Sequence, residues 1–322
     1  MRSIFFILIF FSIEARAELS KINNEENNCS VYSDSNPKKL IVITDQALNR
    51  IIIVNAITKE ITWEWKPAEI ENLTGNENWF EAPSDAKPVM NATCLLITAS
   101  KGGVALVRIR DKKILFYAFA GGNTHSAAML PDGNIVSASS TGNYLTIFQT
   151  DTLHFPGGVY QKKIFLPFAH NVVWDKKRQV LWTAGRNKIY SFKYNFNCNK
   201  PDLIPLDSIL IPGTDAHDLY PVYGKELLWL TTPENVFIFN PANHNLIEIK
   251  GENIKNIKDV SSGPKSYSTI MMVPKEKWWT DEVNDEHGNI IYKKVGLKIY
   301  KARWLLPDSF SENEGNVFMH CH

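Results

Sequence analysis

Short apolar runs separated by turns dominate the chain from residue 39 onward. Residues 39–45 read Lys-Leu-Ile-Val-Ile-Thr-Asp and residues 49–55 read Asn-Arg-Ile-Ile-Ile-Val-Asn. Both are too short for stable helices and rich in β-branched residues, so both predict strands. Residues 60–65, Glu-Ile-Thr-Trp-Glu-Trp, alternate polar and apolar positions, the pattern of a half-exposed outer strand. Further along, a longer unit repeats. A His opens a short apolar strand, a tight turn follows, and a second apolar strand ends in small or hydroxyl residues. This unit occupies residues 124–139, 169–184 and 213–232.

Lys87, His125, His170, His217 and Asp259 mark equivalent points of successive units. They recur every ~40–50 residues, and no amphipathic helical period lies between them. Four short strands per unit of this length is the sequence signature of a propeller blade. The expected fold is all-β: a six-bladed β-propeller with four-stranded antiparallel blades. A two-sheet sandwich is the alternative, but sandwiches do not usually repeat sequence at this period. The strand at 39–45 aligns with second strands elsewhere, so the first unit lacks its innermost strand. That predicts a closing blade mixing the two chain termini. Residues 298–304 are expected as a late strand of the last blade, and 275–295 as a hairpin inserted in it. Residues 311–322 form a tail that either closes the ring or hangs free.

Composition limits the partners. The chain has 322 residues, is 44% hydrophobic, and carries 35 basic against 34 acidic residues. Charges so nearly cancelled point neither to nucleic acid nor to an anionic membrane. Residues 1–17 have a basic start, an unbroken apolar run at 4–11 and a small-x-small site at 15–17, which predicts a signal peptide. Residues 18–37 are a polar lead-in, and 38–310 form the propeller domain. No later apolar stretch is long enough to cross a bilayer. The chain is therefore expected to be exported, periplasmic or extracellular, with no transmembrane segment in the mature form. Cys29, Cys94, Cys198 and Cys321 allow three disulfide pairings, which spacing does not separate.

In a propeller the residues opening the innermost strands gather around the central channel, so Lys87, His125, His170, His217 and Asp259 are expected to line one ligand-binding mouth. Neutral imidazoles can ligate a divalent metal, making His125, His170 and His217 candidate metal ligands. His125, His170 or His217 could equally act as a general base, with Lys87 steadying a developing oxyanion. Asp85 and Asp215 each stand two residues before a ring member and could orient it. Against this stands a structural role, in which each residue merely pins a loop to the next blade. Trp174, Trp182 and Trp229 are expected in the core between blades. Trp79, Phe80, Trp278 and Trp279 fall in connections, where an exposed ring could stack on a sugar. There is no Gly-x-Ser-x-Gly elbow and no His-Glu-x-x-His helix.

Several stretches, 44–46, 84–89, 102–108, 169–174 and 300–304, carry a family resemblance. With them the chain resembles a family of exported bacterial six-bladed propellers that bears only a domain-of-unknown-function label. The resemblance covers nearly all of the mature chain. It implies the fold and an exported location, and supplies no active site. Such propellers are similar in setting to carbohydrate-processing proteins. The expected function is thus recognition of a glycan or other small polar ligand at the channel mouth. The alternatives are a lyase or hydrolase acting on an acidic sugar, and a protein-interaction scaffold.

Overall fold

A computed structural model describes residues 38–313 apart from 74, 152, 252 and 253. The expected signal peptide, the lead-in and residues 314–322 of the tail lie outside the described residues. The described chain builds six four-stranded antiparallel sheets arranged as a ring, with three single-turn 3-10 helices between 67 and 80. It is a six-bladed β-propeller.

From the second blade to the sixth the chain runs outward, and the innermost strands are Pro83–Val89, Thr124–Met129, Val173–Asp175, Asp218–Pro221 and Asp259–Ser261. The first blade is composite. Its three outer strands are Leu40–Asp45, Arg50–Asn55 and Ile61–Trp65, and its innermost strand is Ile299–Trp304 from the far end of the chain. Ile41 pairs with Trp304, and Ile43 with Ala302. Backbone hydrogen bonds between distant chain segments thus close the ring. The expected mixing of termini holds, but the strand near 298–304 belongs to the first blade, not the last.

Residues 275–295 also depart from expectation. They contain Glu282–Asp285 and Ile290–Lys293, the two outer strands of the sixth blade itself. Each has only four residues, and a polar turn around Asp285 separates them. Such short runs leave little alternation to read in sequence.

Burial follows position in the blade. Second strands are the most buried: Cys94–Ala99 and Ile135–Ser139 are buried at every residue, their hydroxyls included. Outer strands such as Gln161–Phe165 and Asn245–Ile249 are exposed, whereas that of the second blade, Ile114–Phe119, is largely covered. The apolar faces of neighbouring blades interdigitate. Trp174 packs with Leu145 and Tyr194 between the third and fourth blades. Trp182 meets Phe239 at 5.2 Å between the fourth and fifth. Trp229 packs toward the sixth. Burying rings of this size against close-packed neighbours is worth several kcal/mol each and holds the blades rigidly around the channel.

The residues after the closing strand cross one end of the channel, called here the lower mouth. Leu305 and Phe310 insert into inter-blade cores. The Glu312 carboxylate accepts the backbone N–H groups of Met90 and Asn91, at 2.5 and 3.0 Å. Both donors sit in the left-handed region, with φ of 55° and 56°. Among the described residues no helix is long and apolar enough to cross a membrane. Cys198 is disulfide-bonded, and Cys94 carries a buried thiol.

Candidate functional site

The sequence repeat converges at the upper mouth, and each imidazole there is fixed by the backbone beneath it. His125 stands at a β-bulge between Thr124 and Ser126, and the Thr124 carbonyl accepts Ser84 Oγ of the second blade at 2.7 Å. His170 follows a tight crossing in which a Cβ on Gly185 would lie 2.4 Å from the Pro167 carbonyl oxygen; only glycine leaves room. Asn171 then locks the segment, its Oδ1 accepting the Ala184 N–H at 2.7 Å. The His217 N–H donates to the Thr231 carbonyl at 2.8 Å, and Thr231 Oγ1 donates to the carbonyl of Lys258 on the next blade at 3.2 Å. The hydroxyls that end the second strands therefore do have a pinning function.

The side chains meet closely. The rings of His125 and His170 stack at 4.1 Å with only 8° between planes. His217 meets His170 edge-on at 5.2 Å, and Phe168 packs on His170 at 5.0 Å. Tyr300, from the closing strand, lies over His125 at 5.4 Å, with its hydroxyl 3.3 Å from His170 Nε2. Lys258 Nζ lies 3.0 Å from His217 Nε2. His125 and His170 are buried, while His217 and Lys258 are partly exposed.

Burial keeps the imidazoles neutral and lowers the lysine without discharging it. His125 is held down at about 3, first by burial and then by Lys301, His217 and Lys258. His217 is likewise held at about 3, by burial and then Lys258. His170 falls well below the imidazole range for the same reasons. The Lys258 ammonium drops to about 8, through burial and then Lys301. Burial pushes the Tyr300 hydroxyl upward. The Nδ1 atoms of all three imidazoles are buried with no hydrogen-bond partner.

The structure brings His125, His170 and His217 together as expected and separates Lys87 and Asp259 from them. The reason is register. In the second blade the bulge falls between Pro83 and Asp85, so the counterpart of His125 is Ser84. Lys87 lies three residues on, ~10 Å deeper at strand rise. It is buried, donates to the Val172 carbonyl at 2.7 Å, and lines a pocket with Tyr220, Asp308 and Glu312 at the lower mouth. Burial lowers it to about 8. In the sixth blade the Lys258 N–H donates to Met272, as His217 does to Thr231, so Lys258 is the mouth residue and Asp259 lies one level down. There Asp259 accepts the Ala302 N–H at 3.1 Å, and burial raises its carboxyl to about 7.

That deeper level is an ionic plug. Lys301 Nζ lies 2.9 Å from Asp218 and 3.3 Å from Asp85. Arg303 forks onto both oxygens of Asp218 at 2.8 Å and reaches Asp85 at 3.3 Å. Its guanidinium also covers the Tyr220 ring at 3.9 Å. Burial opposes the charge on Asp85 and Asp218, but Arg303 and Lys301 outweigh it and hold both carboxyls low. Asp85 is thus tied to the plug, whereas Asp215 faces Arg186 at 3.6 Å on the rim. Lys258, Tyr300, Lys301 and Arg303 were all missed in the sequence. The available signal was Lys301-x-Arg303 inside an apolar strand, two like charges on one face that demand opposite charges nearby.

The metal reading does not fit this geometry. A ligating lone pair lies in the plane of its ring, so stacked parallel imidazoles aim theirs side by side, not at one point. Among the described residues no group of three or more His, Cys, Asp or Glu is placed to hold a metal ion. The aromatic connections divide. Trp79 packs against Tyr117 and Phe119, whereas Trp278 remains exposed, its Nε1 donating to Gln46 at 3.0 Å.

Six blades around a polar channel with an imidazole-lined mouth define a propeller with a candidate binding site. The chain belongs to the family of unknown function DUF6528, whose model matches residues 3–320. No curated protein matches the sequence. Among solved structures it is similar to a protein of unknown function from Bacteroides caccae, with 17% identity and a TM-score of 0.54. That likeness covers 83% of this chain and 98% of the other. A functionally unknown protein from Desulfotomaculum acetoxidans has 11% identity and a TM-score of 0.51, over 84% and 100% of the two chains. A catalytically inactive virginiamycin B lyase from Staphylococcus aureus, crystallised with quinupristin, has 11% identity and a TM-score of 0.50, over 82% and 85%. At these identities the likeness is one of fold.

Proposed function

We propose that this protein is an exported binding protein whose upper mouth recognises a glycan or other small polar ligand through His217 and Lys258, backed by His170, His125 and Tyr300. One observation carries the reading. Three imidazoles meet at one point with every Nδ1 buried and unpartnered. Each orphaned polar atom costs about 1–3 kcal/mol, and here three are gathered on touching rings at one channel mouth. A cluster that tolerates the cost is better explained by a polar partner that repays it after a small ring rotation. The exported location rests on the signal-peptide pattern of residues 1–17.

A second reading has its own observation. A lysine held at about 8 and hydrogen-bonded to a neutral imidazole is a general acid or base poised near neutrality. That would suit a lyase or hydrolase. Incubation with a glycan panel, followed by calorimetry and product analysis, separates the two. Binding without turnover, lost in His217→Ala and His170→Ala, is the expected result. Turnover lost in the same variants would replace binding with catalysis. Binding that survives both substitutions would remove the mouth as the site.

A further inference from the structure

Four cations reach the channel from the innermost strands or the residue before them, and three have carboxylate company. Lys301 and Arg303 share Asp85 and Asp218. Lys87, at the opposite end, is supported by the charge of Asp85. Lys258 differs. Among the described residues it forms no ion pair, and the neighbouring charge that acts on it is that of Lys301, which repels it. Asp259, next in sequence, accepts the Ala302 N–H at Oδ2 and is directed into the plug. On the rim, Arg186 is exposed over the Phe168 ring at 5.3 Å, and its one acidic neighbour, Asp215, is at 3.6 Å.

The hydrogen bond of Lys258 adds no negative charge. Its ammonium has donors only, so His217 Nε2 accepts and the ring carries its proton on Nδ1. His217 is thus a neutral prop that aims the ammonium and leaves its charge unbalanced. Beneath it lie two further neutral imidazoles and a phenol, none of which supplies a counter-charge. A partly exposed cation propped by a neutral imidazole, with no counter-ion among the described residues, is built to receive an anion from outside.

Building on the mouth-binding reading, we infer that the ligand carries a carboxylate that pairs with Lys258, as an acidic sugar would. The test uses protein with 15N-labelled imidazoles, titrated with D-glucuronate, D-glucose and acetate. Glucuronate is expected to shift the His217 Nε2 resonance, because an anion drawing on Lys258 weakens the bond that this nitrogen accepts. Glucose is expected to leave it in place. A response to glucuronate alone supports a sugar acid, and a response to acetate as well supports a carboxylate in general. Lys258→Gln should weaken glucuronate binding at least tenfold, and Lys258→Arg should retain most of it, both with unaltered melting temperatures. Equal responses to glucose and glucuronate would overturn the charge assignment and leave the mouth standing as a site. So would full glucuronate affinity in Lys258→Gln. No response of His125, His170 or His217 to any of the three probes would overturn both.

Discussion

The upper mouth and the plug beneath it are made from adjacent residues of the same strands, yet they solve burial in opposite ways. His217 and Asp218 are sequence neighbours, as are Lys258 and Asp259, and Tyr300 and Lys301. In the plug, charge meets charge: Asp218 and Asp85 accept from Arg303 and Lys301 at 2.8–3.3 Å. In the mouth, charge is largely suppressed and polar atoms go unpartnered. The difference teaches where the molecule is finished and where it is not. The ion-paired side chains of Asp85, Asp218, Lys301 and Arg303 tie three blades together and satisfy one another, which leaves them little capacity for a ligand. An unsaturated neutral cluster costs stability and keeps that capacity.

Breaking the plug should have the largest effect. Asp218→Ala leaves Arg303 and Lys301 to share Asp85, two buried cations on one carboxylate. Removing one partner of such a network typically costs about 3–5 kcal/mol, so a large fall in the urea unfolding midpoint is expected. A loss below about 1 kcal/mol would show that the plug is not the girdle described here.

A smaller effect should come from acid. The folded His125 stays neutral down to about pH 3, whereas an unfolded imidazole takes up a proton near 6.5. The unfolded chain binds protons first, so stability tied to this residue is intact above about pH 6.5 and is withdrawn as pH falls toward 3. Linkage gives about 2 kcal/mol by pH 5. His125→Phe removes that liability. Its stability relative to the wild type should therefore improve by about 2 kcal/mol between pH 7 and pH 5, measured by paired denaturation curves. An unchanged gap would mean that the imidazole titrates normally and that the mouth is wet.

The rim should respond least. Arg186 is exposed and Asp215 partly exposed at 3.6 Å separation, and Asp215→Ala should change unfolding stability by less than about 0.5 kcal/mol. If the same variant strengthened glucuronate binding, it would sharpen the contrast further, because it removes an acidic competitor at the mouth.

Much of this fold was legible in the chain. Repeating apolar runs with a His at the head of each unit marked blades and their order, because every blade poses the same packing problem. The three His were correctly grouped for that reason. Lys87 and Asp259 were misgrouped because such short strands can be aligned by composition only to within a few residues, whereas strand pairing equates His125 with Ser84 and His217 with Lys258. An error of one residue moves a side chain from the mouth to the plug, and an error of three moves it to the other end.

The sequence by itself determined the strand grammar, the blade period and the need for a strand from the far terminus, since local propensity and hydrophobic alternation are properties of consecutive residues. Tertiary structure alone decided that the far strand is Ile299–Trp304, and so placed Tyr300, Lys301 and Arg303 in the channel. It also decided which buried charges are paid in full and that Lys258 is not among them. Pairing across the channel joins residues 83 to 218 positions apart, and no local pattern encodes which of several Asp residues a given Arg will meet.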